Sequence, residues 1–257
     1  MGFLHTSAEK VLLRLARALG VTEIQSRIDA LESSRQISPD LYMKLESRFR
    51  GSTEEIISRQ MQYVPFVQHC ITEQHPALDL GCGRGEWLTV LKRNELCAVG
   101  VDGNPVAVSE CQKNGLNVSL GDIFDVLRHQ PPQSLGCITL FQVLEHLPFE
   151  RVLDVLRLSR NALIDGGVLI AEIPNSQTLR VGATTFWIDP THERPLFPDV
   201  LHFLAQEAGF NSIRTQTSTP LGTSPDLSNA PQELAEVILD LHTRIHGDGD
   251  FAIIATR

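Results

Sequence analysis

The run Ala77-Leu78-Asp79-Leu80-Gly81-Cys82-Gly83-Arg84-Gly85 constrains this chain more than any other. An apolar stretch carries an acid, glycine recurs at alternate positions, and a helical pattern opens at Glu86-Trp87-Leu88. Glycine has no Cβ, so a strand can turn sharply there into a helix, with its backbone close to a ligand. The pattern predicts a parallel strand that ends in a nucleotide cradle. The spacing is G-x-G-x-G and not the G-x-G-x-x-G of dinucleotide sites. Asp79, two residues ahead of the first glycine, would repel a pyrophosphate and suits a cationic ligand.

From residue 76 onward, strand and helix patterns alternate, which predicts an α/β, doubly wound sheet with helices on both faces. Strands are expected near 76–80, 96–101, 117–120, 136–141, 167–173, 211–217 and 250–255. Helices are expected near 85–94, 105–114, 148–164, 198–208 and 231–246. Pro105, Pro148 and Pro198 stand where first helical turns begin, and Gly115, Gly166 and Gly209 stand where helices stop. Residues 1–48 read differently. Val11, Leu12, Leu15 and Leu19, then Ile24, Ile28 and Leu31, recur at helical spacing, predicting two amphipathic helices in an N-terminal extension. The main domain is then 49–257, and 218–249 reads as an insertion near the ligand-binding edge of the sheet.

Composition narrows the function classes. Hydrophobic residues make up 42% of the chain, enough for a proper core. A net charge of −9 argues against nucleic acid as a general partner, since phosphate contacts need Lys and Arg. The five cysteines (Cys70, Cys82, Cys97, Cys111 and Cys137) are scattered and form no C-x-x-C pair, so they read as reduced, mostly core residues. No apolar run is long enough to span a bilayer, and no secretory signal pattern opens the chain. A cytoplasmic location follows. Residues 1–48 either pack on the main domain, pair with a second copy, or dock on a partner enzyme or the surface of the inner membrane. Lys10, Arg14 and Arg17 on the first helix would suit the last.

Two further strands end in acids. Val99-Gly100-Val101-Asp102-Gly103 offers a carboxylate that can accept both hydroxyls of a ribose, or cap the helix at Pro105. Gly121-Asp122-Ile123 repeats the arrangement after the third strand. The glycine turn, with Asp79, Gly81, Cys82 and Gly83, resembles motif I of the class I S-adenosylmethionine (SAM) methyltransferases. The acids follow in that family's order. The resemblance implies a Rossmann-like sheet of seven strands with the last one antiparallel, and SAM as cofactor. It further implies ribose at Asp102, the adenine amino group at Asp122 with Ile123 against the ring, and the methyl donor beside Phe141 and Gln142. Related enzymes place an arginine from a preceding helix on the SAM carboxylate. Arg59 resembles that position, one residue out of step, and Arg50 is the alternative.

Gln142-Val143-Leu144-Glu145-His146-Leu147-Pro148 leaves the fourth strand where donor and acceptor meet in such folds. It resembles the Glu-His element of ubiquinone-pathway O-methyltransferases and small-RNA 2′-O-methyltransferases. Those families set it in a divalent-metal site with a downstream histidine, for which His192 is the counterpart. The RNA-modifying family has a second glutamate at the position of Gln142, and an amide oxygen is the poorer ligand. An alcohol is a weak nucleophile while it keeps its proton. A histidine base or a metal ion remedies that, and Glu145, His146 and His192 suit either. The remaining possibility is that Glu145 and His146 only brace the helix beginning at Pro148.

The polar and aromatic segment Thr184–His192, with Asp189-Pro190-Thr191-His192 and Arg194-Pro195, is similar to a bacterial subfamily associated with surface-polysaccharide biosynthesis. Its members often occur beside or fused to glycosyltransferases. The resemblance covers roughly 49–257. It implies O-methylation of a hydroxyl on a glycan or sugar-containing acceptor, with a glycosyltransferase as a partner for residues 1–48. Methylation of a quinone-like phenol, and a non-catalytic scaffold that binds SAM, are the rival readings.

Overall fold

The computed structural model describes residues 37–257, and the compact unit runs from Met43 to Arg257. The two amphipathic helices expected before residue 37 lie outside the described residues. Helix α1 (Pro39–Phe49) runs across the expected boundary at 48/49. Helix α2 (Thr53–Gln60) starts at a reciprocal cap: the Ser52 hydroxyl accepts from the Glu55 amide at 3.3 Å, and the Glu55 carboxylate accepts from the Ser52 amide at 2.9 Å.

Seven strands form one sheet in the order β3-β2-β1-β4-β5-β7-β6. They are β1 (Ala77–Leu80), β2 (Ala98–Asp102), β3 (Val118–Leu120), β4 (Leu135–Phe141), β5 (Leu163–Pro174), β6 (Ser212–Pro220) and β7 (Asp248–Thr256). β1 to β5 pair in parallel, and β7 is antiparallel to both β5 and β6. The sheet therefore has the expected seven strands with the last one inserted antiparallel. Chain order runs outward from β1 to β3, then restarts on the other side at β4. A crevice opens between the carboxyl ends of β1 and β4, where open α/β sheets bind ligands.

Side chains alternate across the sheet with period two. Leu78, Leu80, Ile138, Leu140, Leu169, Ala171, Phe251 and Ile253 pack on one face, beneath Val152, Val155, Leu156 and Leu201 of helices α7 (Phe149–Ala162) and α9 (Pro198–Glu207). Ala77, Cys137, Phe141, Val168, Ile170, Ala252 and Ile254 pack on the other. There they meet Tyr63, Val64 and Val67 of a short helix α3 (Val64–Val67) and the turn before it, together with Trp87, Val90 and Leu91 of helix α4 (Glu86–Arg93). The same alternation puts Asp79, Thr139, Glu172 and Asp250 on this second face. Helices α5 (Pro105–Lys113) and α6 (Ile123–His129) complete the crossovers, capped by the side chains of Asn104 and Asp122. After β5 come a short helix α8 (Leu179–Ala183) and a 3₁₀ turn over Thr185–Ile188, where the sequence suggests only a loop. Helix α10 (Gln232–His246) lies in the expected insertion and buries none of its residues.

Gly136, at the start of β4, shows how closely the chain packs. A Cβ there would sit 2.0 Å from the Cys70 carbonyl oxygen, a backbone atom that cannot swing aside. Gly166 has φ +78° and open space around it. Gly136→Ala is therefore expected to lose more stability than Gly166→Ala in urea unfolding. The latter carries the left-handed backbone cost of about 1–2 kcal/mol, whereas the former, whose backbone is not left-handed, forces a Cβ onto a rigid carbonyl and exceeds the usual overpacking cost of about 1–3 kcal/mol. Equal losses would contradict this packing.

Candidate active site

The glycine turn is built as its spacing suggests. Gly81, Gly83 and Gly85 have φ of 68°, 50° and 79°. A Cβ at Gly81 would lie 2.7 Å from a Val143 methyl, so the turn and the segment after β4 touch with no space between them. The amides of Gly81 and Cys82 donate to the Val101 carbonyl, tying the turn to β2. Cys82 is buried, and its thiol packs toward Gly100, so only its backbone can face a ligand. Asp102 clamps the turn: one carboxylate oxygen accepts from the Gly83 amide at 2.8 Å, the other from the Asn104 amide at 2.7 Å. Gly103 between them is exposed, and a Cβ added there would meet nothing within 4 Å. Asp122 is exposed and caps α6 through one oxygen, accepting from Phe124 and Asp125 amides at 2.9 and 3.0 Å. Ile123 is half-buried beside it. The capping role and the ligand role are compatible, since one oxygen of Asp122 is enough for the cap.

Asp79 is buried and accepts from the Thr139 hydroxyl at 2.7 Å, its register partner on β4. Burial pushes its carboxyl up to about 7, partly offset by that hydrogen bond. Phe141 is buried against the rings of Tyr63 and Trp87, at 5.5 and 5.4 Å between centroids. The two arginines divide. Arg50 pairs with Glu46 at 3.2 Å and lies beside the turn, with Nη1 3.7 Å from where a Gly83 Cβ would be. Arg59 donates to the Thr219 hydroxyl at 2.9 Å and stands 3.8 Å from Asp250. It is Arg50, the alternative, that adjoins the glycine turn.

A second polar group emerges at the same edge. Glu172 accepts from Tyr63 at 2.6 Å, and Gln142 bridges the Asp250 and Glu172 carboxylates at 3.1 and 3.4 Å. Gln142 adopts φ 59°, an uncommon conformation for a non-glycine residue that aims its amide at these acids. Burial raises Glu172 to about 7, and the neighbouring Asp250 adds to the effect. Sequence reasoning assigns no role to Tyr63, Glu172 or Asp250. The period-two alternation is the available signal, because it sets Glu172 on the buried face of a strand among Val168 and Ile170.

Glu145 and His146 lie in a 3₁₀ turn, Leu144–His146, directly after β4. The Glu145 carbonyl accepts from the Glu193 amide at 2.9 Å, and Arg194 covers the Phe149 ring at 4.0 Å. These contacts bring the distant segment 189–194 onto the turn and set the His192 ring 4.6 Å from that of His146. One ligand atom each from Glu145, His146 and His192 lie within 4.8 Å of one another. Glu145 is 1% exposed, and neither carboxylate oxygen finds a donor on another described residue. Burial, with the negative field of Asp250 and Glu172, raises its carboxyl to about 8. Burial and the facing His192 lower His146 to about 4, and burial lowers His192 as well. Such a pocket disfavours a carboxylate without a cation and keeps both imidazoles neutral. Helix α7 starts after Pro148 with no side-chain hydrogen bond at its cap.

A glycine cradle at a topological switch point, acids at the ends of β1, β2 and β3, and a titratable cluster after β4 fit a protein of Rossmann-like fold that binds a nucleoside-containing ligand. Residues 54–215 match the family model described as a methyltransferase domain. That is more than half of the chain, which belongs to this methyltransferase family. A crystal structure of a SAM-dependent methyltransferase from Archaeoglobus fulgidus is 29% identical, with a TM-score of 0.76 over 84% of this chain and 99% of that one. A SAM-dependent methyltransferase from Mesorhizobium loti, 16% identical, shares the fold with a TM-score of 0.53 over 81% of this chain and all of that one. Among curated proteins, the carboxy-S-adenosyl-L-methionine synthase of Glaesserella parasuis is 29% identical over 147 residues. That match spans 54% of this chain and 58% of the relative. Among the described residues, no helix is long and apolar enough to cross a membrane.

The buried state of Asp79 has a measurable consequence. Its folded value near 7 lies above the ordinary carboxylate value of about 4. Between those values the folded chain holds a proton that the unfolded chain has lost, so this group subtracts stability as pH rises. Asp79→Asn removes the effect and keeps an acceptor for Thr139. In urea unfolding, the stability of Asp79→Asn relative to the wild type should rise between pH 5 and 8, by an amount on the order of 2–3 kcal/mol. Parallel pH profiles would contradict the assignment.

Proposed function

We propose that this methyltransferase moves the methyl group of SAM to a hydroxyl of a glycan or sugar-containing acceptor. The observation that carries the reading is the Glu145-His146-His192 cluster at the carboxyl end of β4, where a donor held by the glycine turn would present its methyl. Asp102 accepts the ribose hydroxyls while holding the Gly83 amide, and Asp122 with Ile123 receives the adenine. Arg50, beside Gly83, takes the donor carboxylate in preference to Arg59.

In the transfer, the acceptor oxygen forms a bond to the methyl carbon as the carbon–sulfur bond breaks, and the sulfonium becomes a neutral thioether. The hydroxyl proton needs a base. His192 Nδ1 faces the Phe186 carbonyl at 2.7 Å, which can only accept, so Nδ1 carries the proton and Nε2 is basic. Alignment of donor and acceptor does most of the remaining work. The donor set of one carboxylate and two imidazoles also fits a divalent ion, as does the absence, among the described residues, of a donor for either Glu145 oxygen. Glu145, His146 and His192 would hold it. When bound, such an ion lowers the pKa of a hydroxyl placed on it.

The acceptor class rests on the walls of the site. Trp187 is 56% exposed, with its indole N–H fixed to the Gly182 carbonyl at 3.1 Å. Its ring meets Phe186, which meets His192, at 5.1 and 4.4 Å between centroids. An exposed aromatic face leading to the histidines, with Asp250 and Glu172 close enough to act electrostatically on Glu145, suits a sugar better than an apolar phenol. A carboxylated sulfonium of the kind the Glaesserella relative is named for would carry a negative charge into a pocket where burial already disfavours ionised Glu145 and Glu172, whereas the cationic sulfonium of SAM relieves that cost. A glycosyltransferase or a second copy remains our proposed partner for residues 1–48.

Two substitutions test the assignment by calorimetry and turnover. Asp102→Asn, which leaves one acceptor for the two clamped amides, should weaken SAM binding by about 10- to 100-fold, the equivalent of about 1.5–3 kcal/mol for charged hydrogen bonds, and lower the melting temperature while the chain stays folded. Unchanged affinity would remove Asp102 from the ribose site. His192→Ala should abolish methyl transfer to oligosaccharide acceptors while SAM binding stays within about twofold. A fully active variant would take His192 out of the mechanism.

A further inference from the structure

The segment that delivers His192 also carries Asp189 and Thr191, and nothing so far gives them a task. The Thr191 hydroxyl donates to the Asp189 carboxylate at 2.6 Å, and the Thr191 amide donates to the same oxygen at 2.8 Å. The hydroxyl oxygen lies 2.9 Å from His146 Nδ1. A hydroxyl has one proton, and this one is directed at Asp189. Toward His146 the Thr191 oxygen can therefore only accept, so the proton of the imidazole must stand on Nδ1. The other carboxylate oxygen of Asp189 lies 4.0 Å from His192 Nε2.

We infer that Asp189 and Thr191 are positioning residues, forming a relay that fixes the tautomer of His146 so that its Nε2 bears the lone pair. The Phe186 carbonyl does the same for His192 by a separate route. Both rings then carry the proton on Nδ1 and are basic at Nε2, although they sit on segments 46 positions apart in the chain (His146 and His192). A neutral histidine in water exchanges its proton between the two nitrogens, and a partner on one of them decides the form. Without the relay, a share of the molecules would carry the proton on the nitrogen that has to act as base or ligand. Partners of this sort, one bond removed from the working atom, tune activity without touching substrate. Their purpose rests on the reading of His146 and His192 as the pair that activates the hydroxyl, but their effect on the ring can be measured without any acceptor.

The experiment is a long-range proton–nitrogen correlation spectrum of the full chain, labelled with nitrogen-15 in its histidine rings, at neutral pH and without metal. The nine histidines are resolved by assigning His146 through the signals lost in His146→Gln. The relay predicts the Nδ1–H form for His146 in the wild type. In Thr191→Val, which keeps the shape and loses the hydroxyl, signal should shift toward the Nε2–H form, and Thr191→Ser should restore the wild-type pattern. A wild-type His146 in the Nε2–H form, or a Thr191→Val spectrum unchanged at His146, would overturn the inference. The wild-type spectrum decides even where a variant fails to fold. A merely structural role for Thr191 would lower stability and leave the tautomer alone. Failure of the broader reading would look different: His192→Ala would keep its turnover while the His146 tautomer remained fixed.

Discussion

A sheet covered on both faces gives its polar side chains no water, and each must find a partner in register or at an edge. The hydrogen bond between Asp79 and Thr139 is the point on which this structure turns. The two stand opposite each other on β1 and β4, the strands between which the chain reverses its winding. Their side chains fall on the face that also holds Phe141, Glu172 and Asp250. One face of one sheet thus collects the acids at its carboxyl edge, beneath the glycine turn on one side and beside the β4 exit on the other.

That arrangement gives the site its electrostatic character. Glu145, Glu172 and Asp79 all have carboxyls raised by burial, and His146 and His192 are held neutral. Arg50 lowers several of these carboxyls, and Arg59 serves Asp250. A pocket with this balance favours a positively charged visitor, which a sulfonium donor is and an anionic one is not. The same low dielectric strengthens every hydrogen bond that orients the rings.

Much of the fold is legible in the sequence because glycine, proline and apolar alternation act locally. Pro105 and Pro198 open their helices, the glycine turn has the left-handed backbone its residues permit, and Asp102 and Asp122 stand at strand ends. His146 and His192, which the sequence pairs only by resemblance, do lie side by side. Other features depend on contacts distant in sequence. Arg50 reads only as an alternative to Arg59, because helix phase alone does not say which one reaches Gly83. The bridge from Gln142 to Glu172 and Asp250 joins the segment after β4 to strands β5 and β7 and has no short-range signature. Thr191 looks like part of a loop until the Glu193–Glu145 and Arg194–Phe149 contacts draw it onto His146.

The central claim is that a donor bound on the glycine turn places its methyl group before the Glu145-His146-His192 cluster. A crystal structure of the chain with S-adenosylhomocysteine and a divalent ion tests it most directly. The expected result is ribose on Asp102 and the thioether sulfur at the end of β4. A methyl group added to that sulfur would then leave room for an acceptor oxygen at about 3–3.5 Å from it, within hydrogen-bond reach of His146 or His192. A sulfur turned away from both imidazoles, with ribose still on Asp102, would contradict it and move the acceptor site elsewhere on the edge of the sheet.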